Sequence, residues 1–144
     1  MKRKTSIALI IQSALGLSTL GAAARVLAQE PGIQATVPFE FTVSGKLLPA
    51  DTYTITSSSP GVVMIQSADK HFSAITTASH GNQQSGDGSK LVFDKYGDQY
   101  FLHRILCPST ASMNVDIPKS KLEKRVQRQE AMVNWGEPVL IAAK

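Results

Sequence analysis

Three histidines, one cysteine, a group of aspartates and an arc of lysines and arginines are the residues with the chemistry to form a site. His71, His80 and His103 are the only histidines. Neither their intervals nor any aspartate or glutamate spacing forms a recognised ligand pattern, so a metal centre would need the fold to bring all three together. Asp87, Asp94 and Asp98 flank a glycine-rich stretch, but the spacing of a helix–loop–helix calcium site is absent. Serine is plentiful without a Gly-x-Ser-x-Gly elbow, and Gly86-Asp87-Gly88-Ser89 lacks the Gly-Lys-Ser/Thr and following helix of a phosphate loop. Eleven dispersed acids form no recognisable pair for glycoside cleavage. No catalytic residue, cofactor site or metal ligand is therefore assigned, and the reading is of a protein that is not an enzyme.

Cys107 is the single cysteine, which excludes an internal disulfide. It continues the apolar run Ile105-Leu106-Cys107-Pro108, so a buried small side chain is the first expectation; a dimer bridged through Cys107 is the alternative. His103, four residues before it on an extended strand, would lie roughly 13 Å away and too far to activate the thiol.

The charged residues with a partner implied lie near the C-terminus. Ser120-Lys121-Leu122-Glu123 has the form of a capping box, which predicts a helix starting there. At 100° per residue Leu122, Val126 and Val133 share one stripe, while Lys121, Lys124, Arg125 and Arg128 form an adjacent basic arc. The helix is expected over 120–131, its apolar stripe on a sheet and its basic arc outward. An anionic surface, a polysaccharide or an acidic envelope protein would suit that arc.

The elements preceding the helix read as strands. Lys90–Leu106 carries four of the eight Phe and Tyr residues and predicts a hairpin turning at Gly97-Asp98, where a positive φ is needed. That turn sets Phe93 opposite Leu102, Asp94 opposite Phe101 and Leu91 opposite Arg104, so neither face is uniformly apolar and the second needs cover, for which the helix is available. Lys95, Tyr96 and Asp98 at the tip are candidate contact residues. Upstream, Val37, Phe39, Phe41 and Val43 alternate as one half-buried strand, with Pro38 marking an edge or bulge. Further strands are expected at Thr52–Thr56, Val62–Ser67 and Phe72–Ala78, with a turn cluster at Ser57–Gly61. Ser79–Ser89 reads as a surface loop, Met113, Val115 and Ile117 as a short strand, and Pro138–Ala143 as a closing strand. The fold class is thus mainly β: a small antiparallel sandwich or barrel of about seven strands with one C-terminal amphipathic helix.

The first 28 residues have the pattern of a cleaved signal peptide. Met1-Lys2-Arg3-Lys4 is a basic head, Ile7–Leu20 is uncharged and largely apolar, and Val26-Leu27-Ala28 suits the peptidase before Gln29. Removal of Lys2, Arg3, Lys4 and Arg25 takes the 15 basic residues to 11, equal to the 11 acidic ones. The basic balance then belongs to the export signal and argues against a nucleic-acid partner. What remains, residues 29–144, is one domain without a further apolar stretch able to span a bilayer. A periplasmic or extracellular location follows.

Three segments also carry a resemblance. Val37-Pro38-Phe39-Glu40-Phe41, Leu47-Leu48-Pro49-Ala50-Asp51-Thr52-Tyr53, and Lys90-Leu91-Val92-Phe93 through Tyr96-Gly97-Asp98-Gln99-Tyr100-Phe101-Leu102 resemble motifs of a group of small exported bacterial proteins of unknown function, as does the helix start at Pro118, Ser120 and Glu123. Asp51 stands where that pattern has glycine. The resemblance implies export and β architecture and adds no catalytic residue. The leading expectation is a non-enzymatic binding or structural module of the envelope. A barrel carrying a small apolar ligand is the alternative, and a small hydrolase with a concealed site ranks below it.

Overall fold

The structure, a computed structural model, describes residues 32–82, 86–130 and 137–144. The signal-peptide reading, the tip of the Ser79–Ser89 loop at residues 83–85, and the expected helix end at Ala131 with Val133 in its stripe all lie outside the described residues.

Among the described residues eleven strands, more than the seven expected, form one sheet, joined by a short 3-10 turn at Ala111–Met113 and a single helix. In chain order they are β1 (Gly32–Val37), β2 (Phe41–Val43), β3 (Lys46–Leu48), β4 (Asp51–Ser59), β5 (Val62–Ser67), β6 (Ser73–Thr77), β7 (Ser79–His80), β8 (Ser89–Tyr96), β9 (Gln99–Leu106), β10 (Val115–Asp116) and β11 (Glu137–Ala143), with helix α1 (Lys121–Glu130) before the last. The sheet runs β3-β2-β9-β8-β11-β1-β4-β5-β6, and β10 pairs with both β9 and β7. Because β7 follows β6 after one residue, the β9–β10–β7 link curls the sheet into a nearly closed barrel. The closing strand β11 lies between β1 and β8, antiparallel to both.

Two expected elements are divided or shortened. Val37–Val43 is not one strand: β1 stops at Val37, and the chain bends at Pro38-Phe39 before β2. Nor is β1 an edge, since it pairs with both β4 and β11. Proline has no N–H for a ladder, so an interior strand must end before it. The bend lets β2 leave β1 and pair parallel to β9 at Thr42↔Phe101, while Phe39 stacks on Tyr100 with centroids 3.9 Å apart. The loop expected from Ser79 is also partly ordered, because Ser79 and His80 pair with Asp116 and Val115. In the Ser57–Gly61 cluster only Pro60-Gly61 turns; Ser57–Ser59 extend β4 past a bulge.

Alternation places the core. Ile33, Ala35 and Val37 on β1, Tyr53 and Ile55 on β4, Val63 and Ile65 on β5, and Leu91 and Phe93 on β8 all point into the barrel. Phe41 meets Tyr53 and Phe93 edge-on at 5.3 and 5.2 Å. The Tyr53 hydroxyl donates to the Pro49 carbonyl at 2.6 Å, and burial pushes its pKa up to about 12. Asp51 opens β4 in extended backbone, its carboxylate accepting from the Thr52 amide, so no left-handed turn is required where the resembling pattern has glycine.

The β8–β9 hairpin turns at Gly97-Asp98 with Gly97 at φ 59°, a turn with glycine at its first central position. Phe93 faces Leu102 and Asp94 faces Phe101 as expected, but Leu91 faces Ile105, not Arg104. A bulge inserts His103 between the pairs Phe93↔Leu102 and Val92↔Arg104. The extra residue keeps both Leu102 and Ile105 on the barrel face, where both are buried. Phe101 points to the other face and packs with Tyr96 beneath Val126 of α1, so the helix does cover the hairpin's second side.

Candidate partner-binding surfaces

Helix α1 begins where Ser120 caps it: the Glu123 amide donates to Ser120 Oγ at 3.1 Å and the Lys124 amide to the Ser120 carbonyl at 3.0 Å. Only half of the capping box forms. The Glu123 side chain turns toward the sheet, where Oε1 is buried without a hydrogen-bond partner among the described residues and lies 4.0 Å from Lys119 Nζ. The buried positions of α1 are Glu123 and Val126, and Leu122 is 41% exposed. The helix is therefore rotated from the expected stripe, with Glu123 rather than Leu122 turned toward Lys119.

That rotation keeps Lys121, Lys124, Arg125 and Arg128 exposed on the outward face. Among the described residues none of the four forms an ion pair with a carboxylate; Arg128 Nε donates to the Lys124 carbonyl at 3.1 Å. The hairpin tip divides differently. Asp98 is exposed, whereas Lys95 is half-buried with its ammonium 5.6 Å from the centre of the Tyr100 ring. Tyr96 is 6% exposed and is not a free contact residue. Its place in the alternation puts it with Asp94 on the helix side, where its hydroxyl donates to Asp94 at 3.3 Å and accepts from Lys119 Nζ at 2.7 Å.

Beneath the helix lies a group of ionisable side chains that spacing alone does not assemble. Lys119 Nζ is 3.3 Å from Asp94, whose carboxylate is 4.0 Å from His103 Nδ1 at the bulge. Burial raises the Glu123 pKa to about 7 despite Lys119, and Asp94 adds to the rise. Burial likewise raises Tyr96. For Lys119 burial pulls downward, but the Tyr96 hydroxyl and the Asp94 carboxylate outweigh it and hold the pKa above the ordinary lysine value. The one advance sign of this group is that Asp94 and Tyr96 share a strand face. Lys119 and His103 come from a loop and a bulge, which carry no periodic signal.

No protein-family model, curated protein or solved structure matches the chain. The chemistry of its surfaces has to be read from the geometry.

The histidines do not form one centre: His71 is exposed at the β5–β6 turn with Nδ1 2.7 Å from Asp69, His80 is exposed on β7, and His103 sits in the β9 bulge beside Asp94. Among the described residues no three His, Cys, Asp or Glu side chains are grouped to hold a metal ion. Hydrogen bonds from Ser67 and from the His71 backbone and ring hold the Asp69 pKa down to about 2. Cys107 is 1% exposed, its amide bonded to Asn114 Oδ1 at 2.8 Å and its Sγ 3.3 Å from both Ser89 Oγ and Ser109 Oγ. Its sulfur is not presented to a second copy, which counts against a dimer bridged there. Among the described residues no helix is long and apolar enough to cross a membrane.

Proposed function

We propose that this protein is an exported, non-enzymatic barrel domain that acts in the periplasm or cell envelope as a binding module, docking the outward face of α1 on an anionic surface. The observation that carries the reading is the set of four exposed cations, Lys121, Lys124, Arg125 and Arg128, with no carboxylate partner among the described residues. Cations left in solvent keep their field available to an anionic layer, where each is worth ~1 kcal/mol near a charged lipid surface. The helix turns Val126 and Glu123 toward the barrel, which leaves the cations on its outward face. The basic N-terminal head and apolar stretch, together with the resemblance of the hairpin motifs to small exported proteins, support export. Tyr53, Phe93, Leu48, Ile55 and Ile65 are fully buried in the barrel, a filling that favours a surface-binding role over the carriage of an apolar ligand.

The test is co-sedimentation of the domain with phosphatidylglycerol-containing vesicles, comparing wild type with Lys124→Glu/Arg125→Glu/Arg128→Glu. Wild type is expected to bind in a salt-sensitive manner and the variant to lose binding by at least about 100-fold. Equal recovery of the two proteins would end the reading. Mass spectrometry of protein recovered from the exporting cell checks the export half, with Gln29 as the expected first residue.

A further inference from the structure

The barrel wall has a seam between β3 and β6. Among the described residues each of these strands has one neighbour in the sheet order, β2 for β3 and β5 for β6. What crosses the gap is side-chain bonding: Ser44 Oγ with Thr76 Oγ1, and Lys46 Nζ with the Ser73 carbonyl. A cleft of about 270 Å³ opens there, lined by Val43, Ser44 and Lys46 on one wall and Ser73, Ala74 and Ile75 on the other.

Hydrogen-bond parity fixes which backbone groups face this cleft. The Phe72 carbonyl accepts from the Ser67 amide and the Ala78 amide donates to the Gly61 carbonyl, so Ala74 and Thr76, which share their parity, direct their backbone groups to β5. Ser73, Ile75 and Thr77 direct theirs outward. The Ser73 carbonyl takes Lys46 and the Thr77 carbonyl takes the Thr76 hydroxyl, while the N–H and C=O of Ile75 face the seam without a partner among the described residues. The Ile75 side chain is 69% exposed, and the segment Phe72–Ala78 contains no charged residue or proline, two of the usual guards of a sheet edge. The guard supplied is a single cation, Lys46, reaching across from β3.

From this arrangement we infer that the seam is a strand-addition site for an extended polypeptide segment bearing a carboxylate. Its backbone pairs with Ile75 and its acid replaces the Ser73 carbonyl as the partner of Lys46. A second copy of this chain fits less well, because its own β2–β3 turn would have to enter the space that the first already fills. The site is on a different part of the barrel from α1, and neither reading depends on the other.

The probe is a synthetic Thr-Val-Thr-Val-Asp peptide added to isotopically labelled full domain, with two control peptides: Asn in place of Asp, and N-methylation along one edge. Amide shifts are expected at Ser73–Thr77 and Val43–Lys46, absent with the methylated peptide. Lys46→Glu should weaken the Asp peptide by about tenfold or more and leave the Asn peptide unchanged, as expected for a charge-assisted bond. Ile75→Pro removes an N–H that makes no bond to β5, so this variant should keep the dispersed amide spectrum of the fold and lose the peptide. Equal binding of the methylated peptide, shifts located elsewhere, or no shift at millimolar peptide would each overturn the inference. So would a dimer that forms without peptide and disappears in Ile75→Pro, which would give the edge to a second copy.

Discussion

Replacing Glu123 by Gln should make the domain more stable, and only above mildly acidic pH. The carboxyl is 4% exposed, its Oε1 has no hydrogen-bond partner among the described residues, and Lys119 at 4.0 Å is a distant counter-charge. Burial therefore favours the neutral acid, and the pKa rises from 4.5 to about 7 in the folded state. A raised acid binds more protons folded than unfolded, so stability falls as pH rises from the unfolded pKa to the folded one and then levels off. A displacement of that size corresponds to ~3 kcal/mol. Glutamine has nearly the same shape and no charge to bury. Urea unfolding of wild type and Glu123→Gln at intervals from pH 4 to pH 9 should give curves that coincide near pH 4, separate through pH 5–7, and stay apart by ~3 kcal/mol above pH 8 in favour of the variant. Lys119, Asp94 and Lys124 are the charged groups that act on this carboxyl, and all three are present in both proteins, so the difference curve reports on Glu123. A difference independent of pH would show that burial leaves the Glu123 pKa where it is in the unfolded chain, and a variant less stable at pH 8 would show that the Lys119 ion pair outweighs the cost of burial; either result refutes the reasoning.

Two further outcomes test the core. Phe93 is fully buried and meets Phe39 and Phe41 edge-on at 5.2 Å, so Phe93→Ala should cost ~3–5 kcal/mol in the same urea assay; a loss below ~1 kcal/mol would mean that the barrel interior collapses to fill the space. For the Cys107 thiol burial pushes the pKa up, but the hydroxyls of Ser109 and Ser89 outweigh it and lower the pKa overall; the limit on its reactivity is access. Labelling by an aromatic disulfide reagent should be slow in the folded domain and complete on unfolding, and prompt stoichiometric labelling of folded protein would refute its burial.

Much of the wall was legible because its signals are local. The hairpin at Gly97-Asp98, the pair Phe93–Leu102, the strand Val62–Ser67 and the closing strand after Pro138 all follow from period-two alternation and turn chemistry. The failures lie where a residue's orientation is set by something distant in sequence. Counting back from Gly97 predicts Leu91 opposite Arg104, since a count cannot anticipate the bulge at His103. The demand for it comes from Ile105, which has to join Leu91 in the barrel. The rotation of α1 departs from the periodic expectation for a related reason. Helical periodicity ranks Leu122 above Glu123 by hydrophobicity alone, whereas the surface the helix meets offers Lys119 beside Asp94 and Tyr96.

The bulge and the rotation of α1 share one cause, which also explains why the ionisable group exists. A hairpin with Phe93 inside and Phe101 outside needs cover on both faces, and the barrel supplies only one. The bulge restores the inner face for Leu102 and Ile105, and in doing so leaves His103 on the flank next to Asp94. The helix that covers Phe101 must then settle on a surface already carrying Asp94, Tyr96 and His103, and it does so through one apolar residue, Val126, and one acid, Glu123. A leucine at position 123 would bury more apolar area but would leave Lys119 with Asp94 as its sole acidic partner, and it would forgo any pH dependence in the docking of α1. The basic face is therefore tied to a contact whose strength changes near pH 7, and vesicle binding by wild type should differ from that by Glu123→Gln most strongly on the alkaline side, where the wild-type helix is held least firmly.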